Sequence, residues 1–273
     1  MKVMKYLKNS KILFVLLMVF QLVSLSLVRA EQAIAVFSEE LSKGHNVKVK
    51  LEGDSYWLRE GKKEWVLLKA GVLRGGEAKP VLFLDANGDG VKDIFLKLFE
   101  SGANNAYALF FAKLQDNNVF YFSESKEVFG SPYLGAQGEL VSVKRNGPFS
   151  TIAKYRGKRG GLYLYELREP INSDVEKVTI FDGEGKAKSS INYFGTNTTA
   201  SACVSSERAY LSESPSVAGL MKSYLVKGDS LSVLDSDSDG EWFRVRCQGN
   251  IVTDAWLPQV VLDFNDSSLC VEQ

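Results

Sequence analysis

Apolar and polar residues alternate with a period of two along most of the chain. Val47, Val49 and Leu51 alternate with lysines, and the apolar stretches 55–58 and 65–68 flank a polar turn. This alternation is typical of strands with one buried and one exposed face. Further such segments lie at 81–84, 94–99, 107–114, 119–122, 140–144, 149–155, 162–167 and 175–181. The pattern predicts an all-β, antiparallel fold, in which a short helix is expected only near residues 34–42.

A polar stretch at 196–207, rich in Thr and Ser, interrupts this pattern and predicts a linker. After it, the pattern predicts about five short strands, which suit a small barrel. They lie at 209–211, 223–226, 230–234, 242–247 and 255–257. The predicted organisation is therefore a β domain at 31–195, the linker, and a small barrel domain at 208–273.

The first thirty residues predict an export signal. Four lysines precede an almost wholly apolar run at 12–28, and Ala30 supplies a small residue before a cut ahead of Glu31. A retained membrane anchor is the alternative, because the run approaches the length that spans a bilayer. We expect cleavage, no stable membrane span afterwards, and export to the periplasm.

Removing this segment changes the charge balance. Residues 1–30 hold five Lys and Arg and no acid, so the remaining chain has 33 − 5 = 28 basic and 33 acidic residues, a formal charge of −5. This mild acidity gives no reason to expect a nucleic-acid partner.

Two apolar runs at 81–99 flank the most informative turn of the chain, DANGDGVKD. Its oxygen-bearing side chains occupy loop positions one, three, five and nine, and a backbone carbonyl is available at position seven. Ca²⁺ prefers about six to eight oxygen ligands, and alternate residues of a tight loop point inward. The spacing predicts a structural calcium site formed by Asp85, Asn87, Asp89, Val91 and Asp93.

Two alternatives compete with this prediction. A helical calcium hand needs Glu at position twelve, where this chain has Leu96, so a calcium loop within a β-hairpin is favoured. A hairpin without metal is also compatible with Asn87-Gly88 and Asp89-Gly90, because both pairs favour turns. A second acidic run, from Asp235 to Asp239, imitates the loop but has Phe243 at position nine, so it is interpreted as a charged hairpin tip.

The cysteines and the scarcity of catalytic motifs restrict the functions that the sequence allows. Cys203, Cys247 and Cys270 all lie in the last third, and in an oxidising compartment this odd number predicts one disulfide of undetermined pairing with one leftover thiol, or a pairing with another molecule. The single His45 and the absence of nucleophile or zinc motifs disfavour an enzyme.

A cationic segment between two strands is the main candidate for partner binding. Arg156, Lys158 and Arg159 are flanked by tyrosines, and we interpret them as the tip of a protruding hairpin. Such a tip can enter an acidic cleft, as in a lysozyme-like enzyme, or contact lipid or wall phosphates.

Residues 80–194 resemble exported bacterial β proteins with one FG-GAP-like calcium blade. The resemblance is carried by the D-x-N-x-D-G-x-x-D loop, the Gly-containing segment 101–103, the aromatic strand 107–111 and the Tyr-rich segment 162–165. It implies a periplasmic protein that binds and inhibits a lysozyme-like, peptidoglycan-cleaving enzyme, since the family includes such immunity proteins.

Residues 208–262 resemble a bacterial SH3 domain, through the segments ERAYLSESPS, YLVKGDSLSVLD, EWFRVRC and DAWLP. This second resemblance implies binding of cell-wall peptide or another extended chain, with Tyr210, Trp242 and Trp256 lining a groove. In a barrel this small, at least one of the three is expected in the core. The alternative function is therefore an envelope adaptor that binds peptidoglycan or a protein partner, and a glycan-cleaving enzyme comes third.

Overall fold

The structure is a computed structural model that describes residues 34–72, 78–115, 119–158, 161–248, 252–265 and 270. The expected export signal and Arg159 lie outside these residues. Regular structure within them is β-strand, apart from two 3-10 turns at Val217–Gly219 and Gln259–Val261. The strands form four antiparallel sheets, which include a curled half-barrel. The predicted all-β antiparallel class is confirmed.

Two compact units are distinguished by their internal contacts. Of the described residues, the first unit covers 34–40 and 44–72, and the second covers 41–43 and those from 78 onward. The division predicted from the sequence, at 195 and 208, stays a prediction.

The first sheet has four strands in chain order. They are β1 (Ala35–Ser42), β2 (His45–Glu52), β3 (Ser55–Glu60) and β4 (Val66–Lys69). The helix expected at 34–42 is therefore wrong. Glu39 and Glu40 favour a helix, but exposure alternates along β1, and pairing with β2 outweighs this weak local preference.

The second sheet, again in chain order, contains β5 (Val81–Leu84), β6 (Asp93–Ser101), β7 (Asn104–Leu114) and β8 (Phe120–Gly130). The third sheet contains β9 (Tyr133–Leu134), β10 (Leu140–Asn146), β11 (Phe149–Lys158), β12 (Gly161–Pro170), β13 (Val175–Phe181) and β14 (Ala187–Tyr193). One apolar core joins the two sheets, because buried Phe95 and Phe129 of the second sheet pack with Leu140, Tyr155 and Leu162 of the third.

The fourth sheet has seven strands in the order β17-β16-β20-β19-β18-β15-β21. Its strands are β15 (Ser201–Val204), β16 (Arg208–Ser212), β17 (Leu220–Val226), β18 (Ser230–Ser236), β19 (Trp242–Gln248), β20 (Val252–Pro258) and β21 (Leu262–Asp263). Phe243, Val245 and Leu257 are fully buried in its core, which also contains Val175 and Ile191 of the third sheet. Part of the expected linker is therefore the strand β15, because its apolar residues extend this core.

A disulfide joins Cys203 of β15 to Cys270, with 5.3 Å between their Cα atoms, and it resolves the pairing that the sequence left open. Cys247 is free, and burial followed by the charges of Asp229 and Asp254 raises the pKa of its thiol to about 11. This thiol is protonated at neutral pH, so it is a poor nucleophile. No helix in the described part of the chain has the length and apolar content needed to cross a membrane.

Candidate functional site

The acidic loop connects β5 to β6, and strand pairing determines where it begins and ends. Leu84 pairs with Asp93, so the eight residues between them form the closed end of a hairpin. Gly88 and Gly90 have φ angles of 74° and 86°. Glycine adopts this left-handed conformation without steric cost, which allows the chain to turn sharply here.

Asp85 organises the backbone of this loop. Its Oδ1 accepts hydrogen bonds from the backbone N–H groups of Gly88, at 2.8 Å, and Asp89, at 3.1 Å. Its Oδ2 accepts a third hydrogen bond from the N–H of Gly90 at 2.9 Å. One carboxylate thus holds three successive backbone donors, which explains why an acid is needed at position one.

Asn87 and Asp89 extend the same network. The N–H of Asp89 donates to Asn87 Oδ1 at 3.0 Å, and Asn87 Nδ2 donates to Asp89 Oδ2 at 2.9 Å. Asp89 Oδ1 accepts from the N–H of Val91 at 2.9 Å. An ionised carboxylate has about four acceptor positions, so Asp85, with three of these hydrogen bonds, and Asp89, with two, both retain acceptor capacity.

Asp93 differs from the other loop acids because it is fully buried. Its Oδ2 accepts from the N–H of Ala86 in the loop at 3.1 Å, and its Oδ1 accepts from the N–H of Ala112 on β7 at 2.9 Å. Burial is the largest cause that raises the pKa of Asp93, these two hydrogen bonds lower it, the charges of Asp89 and Asp85 raise it, and the net result is a pKa of about 7. The loop therefore holds a carboxyl whose ionised form is destabilised mainly by burial and also by two neighbouring acids.

This donor set fits a hard cation. Carboxylate, amide and carbonyl oxygens are the ligands that Ca²⁺ prefers, and a divalent charge would offset the repulsion felt by Asp93. Among the described residues, however, no group of three or more His, Cys, Asp or Glu is arranged as a metal cluster. The calcium site at Asp85, Asn87, Asp89, Val91 and Asp93 therefore stays a prediction, supported by donor chemistry and by the buried carboxyl.

The basic hairpin formed by β11 and β12 lies against this loop. A Cβ atom placed on Gly157 would come within 1.8 Å of the carbonyl oxygen of Asn87, so only glycine permits this approach. Tyr155 and Leu162, on either side of the hairpin tip, pack into the same core as loop residue Ala86. The hairpin expected to protrude is thus packed against the predicted metal loop, a contact between residues 70 positions apart (157 − 87).

The two described cations next to the tip of this hairpin, Arg156 and Lys158, point away from the loop. Successive side chains of a strand alternate between faces, so Arg156 and Lys158 lie on the face opposite to the Cβ direction of Gly157. Both are exposed. The Arg156 guanidinium lies 4.1 Å from the ring centre of Tyr165, and Lys158 Nζ donates to the carbonyl of Gly183 at 3.4 Å.

A buried ionic cluster, which the sequence did not predict, supports the base of the hairpin. Glu166 Oε1 contacts Lys154 Nζ at 2.9 Å and Arg168 Nε at 2.6 Å, and Arg168 Nη1 contacts Glu176 Oε1 at 2.6 Å. Burial opposes ionisation of Glu166, but the hydrogen bonds and charges of Lys154 and Arg168 outweigh it and lower the pKa of that carboxyl. In the sequence, the alternation of charge along β12 was the available signal for this cluster. Which side chains form ion pairs, however, depends on the strand register.

The second acidic run has different surroundings. Asp235 pairs with Lys177 at 2.9 Å, and Asp237 Oδ1 accepts from the N–H of Trp242 at 3.1 Å. Phe243, at position nine, is fully buried with its ring 5.1 Å from that of Phe264. This run is a hairpin tip anchored by an aromatic residue where the first loop has a buried acid.

The three predicted groove aromatics lie on the outer surface of the fourth sheet. Tyr210 is 45% exposed beside Tyr224, and Trp242 and Trp256 are half-buried. The expectation that one of them occupies the core is wrong, because their sequence neighbours, such as Phe243, face inward instead. Trp242 pairs with Pro258 and lines a cleft of about 460 Å³. This cleft is also lined by Val260, Asp174 and Glu241.

Comparison with protein-family models, curated proteins and solved structures gives no match to this chain.

Proposed function

We propose that this chain is an exported, calcium-binding recognition protein that binds and inhibits a lysozyme-like, peptidoglycan-cleaving enzyme, as an immunity protein does. The observation that carries the proposal is the exposed pair Arg156 and Lys158 on a hairpin packed against the acidic loop. Lysozyme-like active sites contain paired carboxylates, so a rigid cationic hairpin is complementary in charge to their cleft. The Cys203–Cys270 disulfide agrees with an oxidising compartment such as the periplasm.

Calcium has a structural role in this proposal. The side chains of Asp85, Asn87, Asp89 and Asp93 and the carbonyl of Val91 would hold the ion, which would supply positive charge beside the buried carboxyl. The other structural roles belong to residues of the chain. Asp93 links the loop to β7, and Gly157 allows the hairpin to approach the loop closely. Partner recognition then falls to the cationic side chains on the other face of the hairpin.

The test measures inhibition of purified lysozyme-like muramidases in a turbidimetric lysis assay with Ca²⁺ present. Replacing Arg156, Lys158 and Arg159 by Ser should raise the inhibition constant at least about tenfold without lowering thermal stability, since exposed charges stabilise the fold little. The matched control replaces Lys188, Lys222 and Lys227, three exposed lysines elsewhere, by Ser. An equal loss of inhibition in both variants would remove the hairpin from consideration.

The cleft beside Trp242 favours a second function, an envelope adaptor that binds cell-wall peptide through an SH3-like barrel. An apolar surface of Trp242, Pro258 and Val260 with two carboxylates, Asp174 and Glu241, suits an extended chain that carries a positive charge. Sedimentation with purified peptidoglycan separates the two functions. Binding to the wall that Trp242→Ala abolishes, with muramidase rates unaffected by the protein, would favour the adaptor.

A further inference from the structure

One face of the first sheet carries cations and aromatic rings in two short rows. Lys48 pairs with Arg59 across β2 and β3, and Lys50 pairs with Trp57. Trp57 in turn pairs with Leu67 of β4. Partners in register share a face, so these side chains project together, whereas Val47, Val49, Tyr56 and Leu58 on the alternate positions are buried.

Cation–π contacts connect the rows. The Arg59 guanidinium lies 4.5 Å from the ring centre of Trp65, which directly precedes β4. Lys50 Nζ lies 5.1 Å from the Trp65 ring centre and 5.7 Å from that of Trp57. These contacts hold two long cationic side chains in fixed positions, which reduces the entropy that they would lose on binding an anion.

This arrangement is electrostatically unfavourable without an anionic partner. Lys48 and Arg59 lie directly opposite each other, a placement that destabilises a sheet when the charges are alike. Glu52 pairs with Lys50 at 2.7 Å, whereas no ion pair within the described residues involves Lys48 or Arg59. Arg59 Nε is shielded from solvent and has no hydrogen-bond partner among those residues. The face therefore has an excess of positive charge.

Its apolar members indicate which anion it suits. Leu67 is 49% exposed and the two tryptophan rings are half-buried, so the face combines cations with apolar surface. Lys and Arg beside Trp and Leu are typical of surfaces that lie at the boundary between lipid headgroups and acyl chains. An acidic peptide would satisfy the cations but would leave this apolar surface without a matching partner.

The position of the sheet in the chain agrees with a lipid partner. Only six residues, 29–34, separate the apolar segment at 12–28 from the start of β1 at Ala35. Within the described residues, this sheet contains the strand that lies nearest in sequence to the segment expected to enter the membrane. If that segment is removed by cleavage, the exposed face offers a remaining contact with the lipid.

We infer that the face formed by Lys48, Lys50, Arg59, Trp57, Trp65 and Leu67 binds an anionic lipid surface. This activity is independent of muramidase inhibition and of the predicted calcium site. It would keep the exported chain at the membrane surface after signal cleavage.

The test is co-sedimentation of the chain from Glu31 onward, which includes every described residue, with vesicles of phosphatidylcholine alone or containing phosphatidylglycerol. We expect binding only to the anionic vesicles, weakening as salt rises. The triple change of Lys48, Lys50 and Arg59 to Gln should weaken binding about a hundredfold, since each cation near an anionic membrane contributes about a factor of five. Leu67→Glu, at an exposed position, should also weaken it.

A matched variant in which Lys126, Lys222 and Lys227 are changed to Gln removes the same charge from exposed positions elsewhere, and it should bind like the parent chain. Thermal unfolding of every variant shows that the fold is retained. Failure of the parent chain to bind anionic vesicles at low salt overturns the inference, as does equal loss in both triple variants. Binding to polyglutamate without binding to vesicles would identify an acidic-peptide site instead and would equally overturn it.

Discussion

The two acidic turns, 85–93 and 235–243, both have Asp at positions one and five and an oxygen-bearing side chain, Asn87 or Asp237, at position three, but they have different residues at position nine. The first places the fully buried Asp93 there, linked to the loop and to β7. The second places Phe243 there, packed against Phe264 in an apolar core. In the second turn the charge of Asp235 is compensated by an ion pair with Lys177. The residue at position nine therefore decides whether an acidic turn contains a buried negative charge that benefits from a cation.

The largest expected effect comes from removing the aromatic anchor of the second turn. Phe243→Ala leaves a cavity in the core of the fourth sheet and should lower the free energy of unfolding by about 3–5 kcal/mol. Denaturant unfolding followed by tryptophan fluorescence measures it, and the loss should be equal with Ca²⁺ and with chelator. Asp237→Asn, which keeps the acceptor for the Trp242 N–H, serves as the control. A loss that depends on calcium would contradict the separation of the two turns.

The strands and the acidic turns were the features that the sequence could predict, because both depend on local patterns. Alternation located β2, β10, β11 and β13 closely. The strand β14 was missed because Ala187–Tyr193 has little apolar alternation, and it is a strand because it pairs with β13. Local propensity also misassigned β1, where helix-favouring glutamates pair as strand residues.

The surroundings of the candidate site were less predictable, because they depend on contacts between distant residues. The spacing of the acids identified Asp93 as a candidate ligand, but its burial follows from packing against β7. Nothing in the local sequence around Gly157 indicates that Asn87 lies against it. The alternation of charge along β12 predicted only that Glu166 and Arg168 lie on the same face of the strand. Their ion pairs with residues of neighbouring strands depend on the strand register, which local sequence does not determine.

The second-largest expected effect is the stabilisation that Ca²⁺ provides, which should depend on the first turn and not on the second. If free Ca²⁺ exceeds its dissociation constant a hundredfold, binding should stabilise the parent chain by about 2.7 kcal/mol. Asp93→Asn removes the buried charge at nearly constant shape and should abolish this stabilisation, whereas Asp239→Asn in the second turn should retain it. Thermal unfolding with Ca²⁺ and with chelator gives the difference for each chain. An unchanged melting temperature of the chelated parent chain on adding Ca²⁺ would exclude the metal site.

The smallest effect is expected from replacing two closely packed glycines. Gly157 packs against the first turn, and Gly240 lies within the second turn. A Cβ on Gly157 would meet the backbone oxygen of Asn87 at 1.8 Å, whereas a Cβ on Gly240 would meet the Cγ2 methyl group of the Ile171 side chain at 2.5 Å. Backbone cannot move aside as a side chain can, although Gly240 also has a φ of 72°. Alanine at either position should therefore cost about 1–3 kcal/mol of stability, by overpacking or by backbone strain.

Only the change at Gly157 should also alter calcium binding, because it displaces the loop residue at position three. Isothermal titration with Ca²⁺ should give a weaker dissociation constant for Gly157→Ala and the parent value for Gly240→Ala. Gly183→Ala, which meets no atom within 4 Å, controls for the loss of a glycine in a nearby turn. Equal calcium affinities in Gly157→Ala and the parent chain would mean that the hairpin packs against the loop without influencing its ligands. The metal and the basic hairpin would then be independent features of the fold.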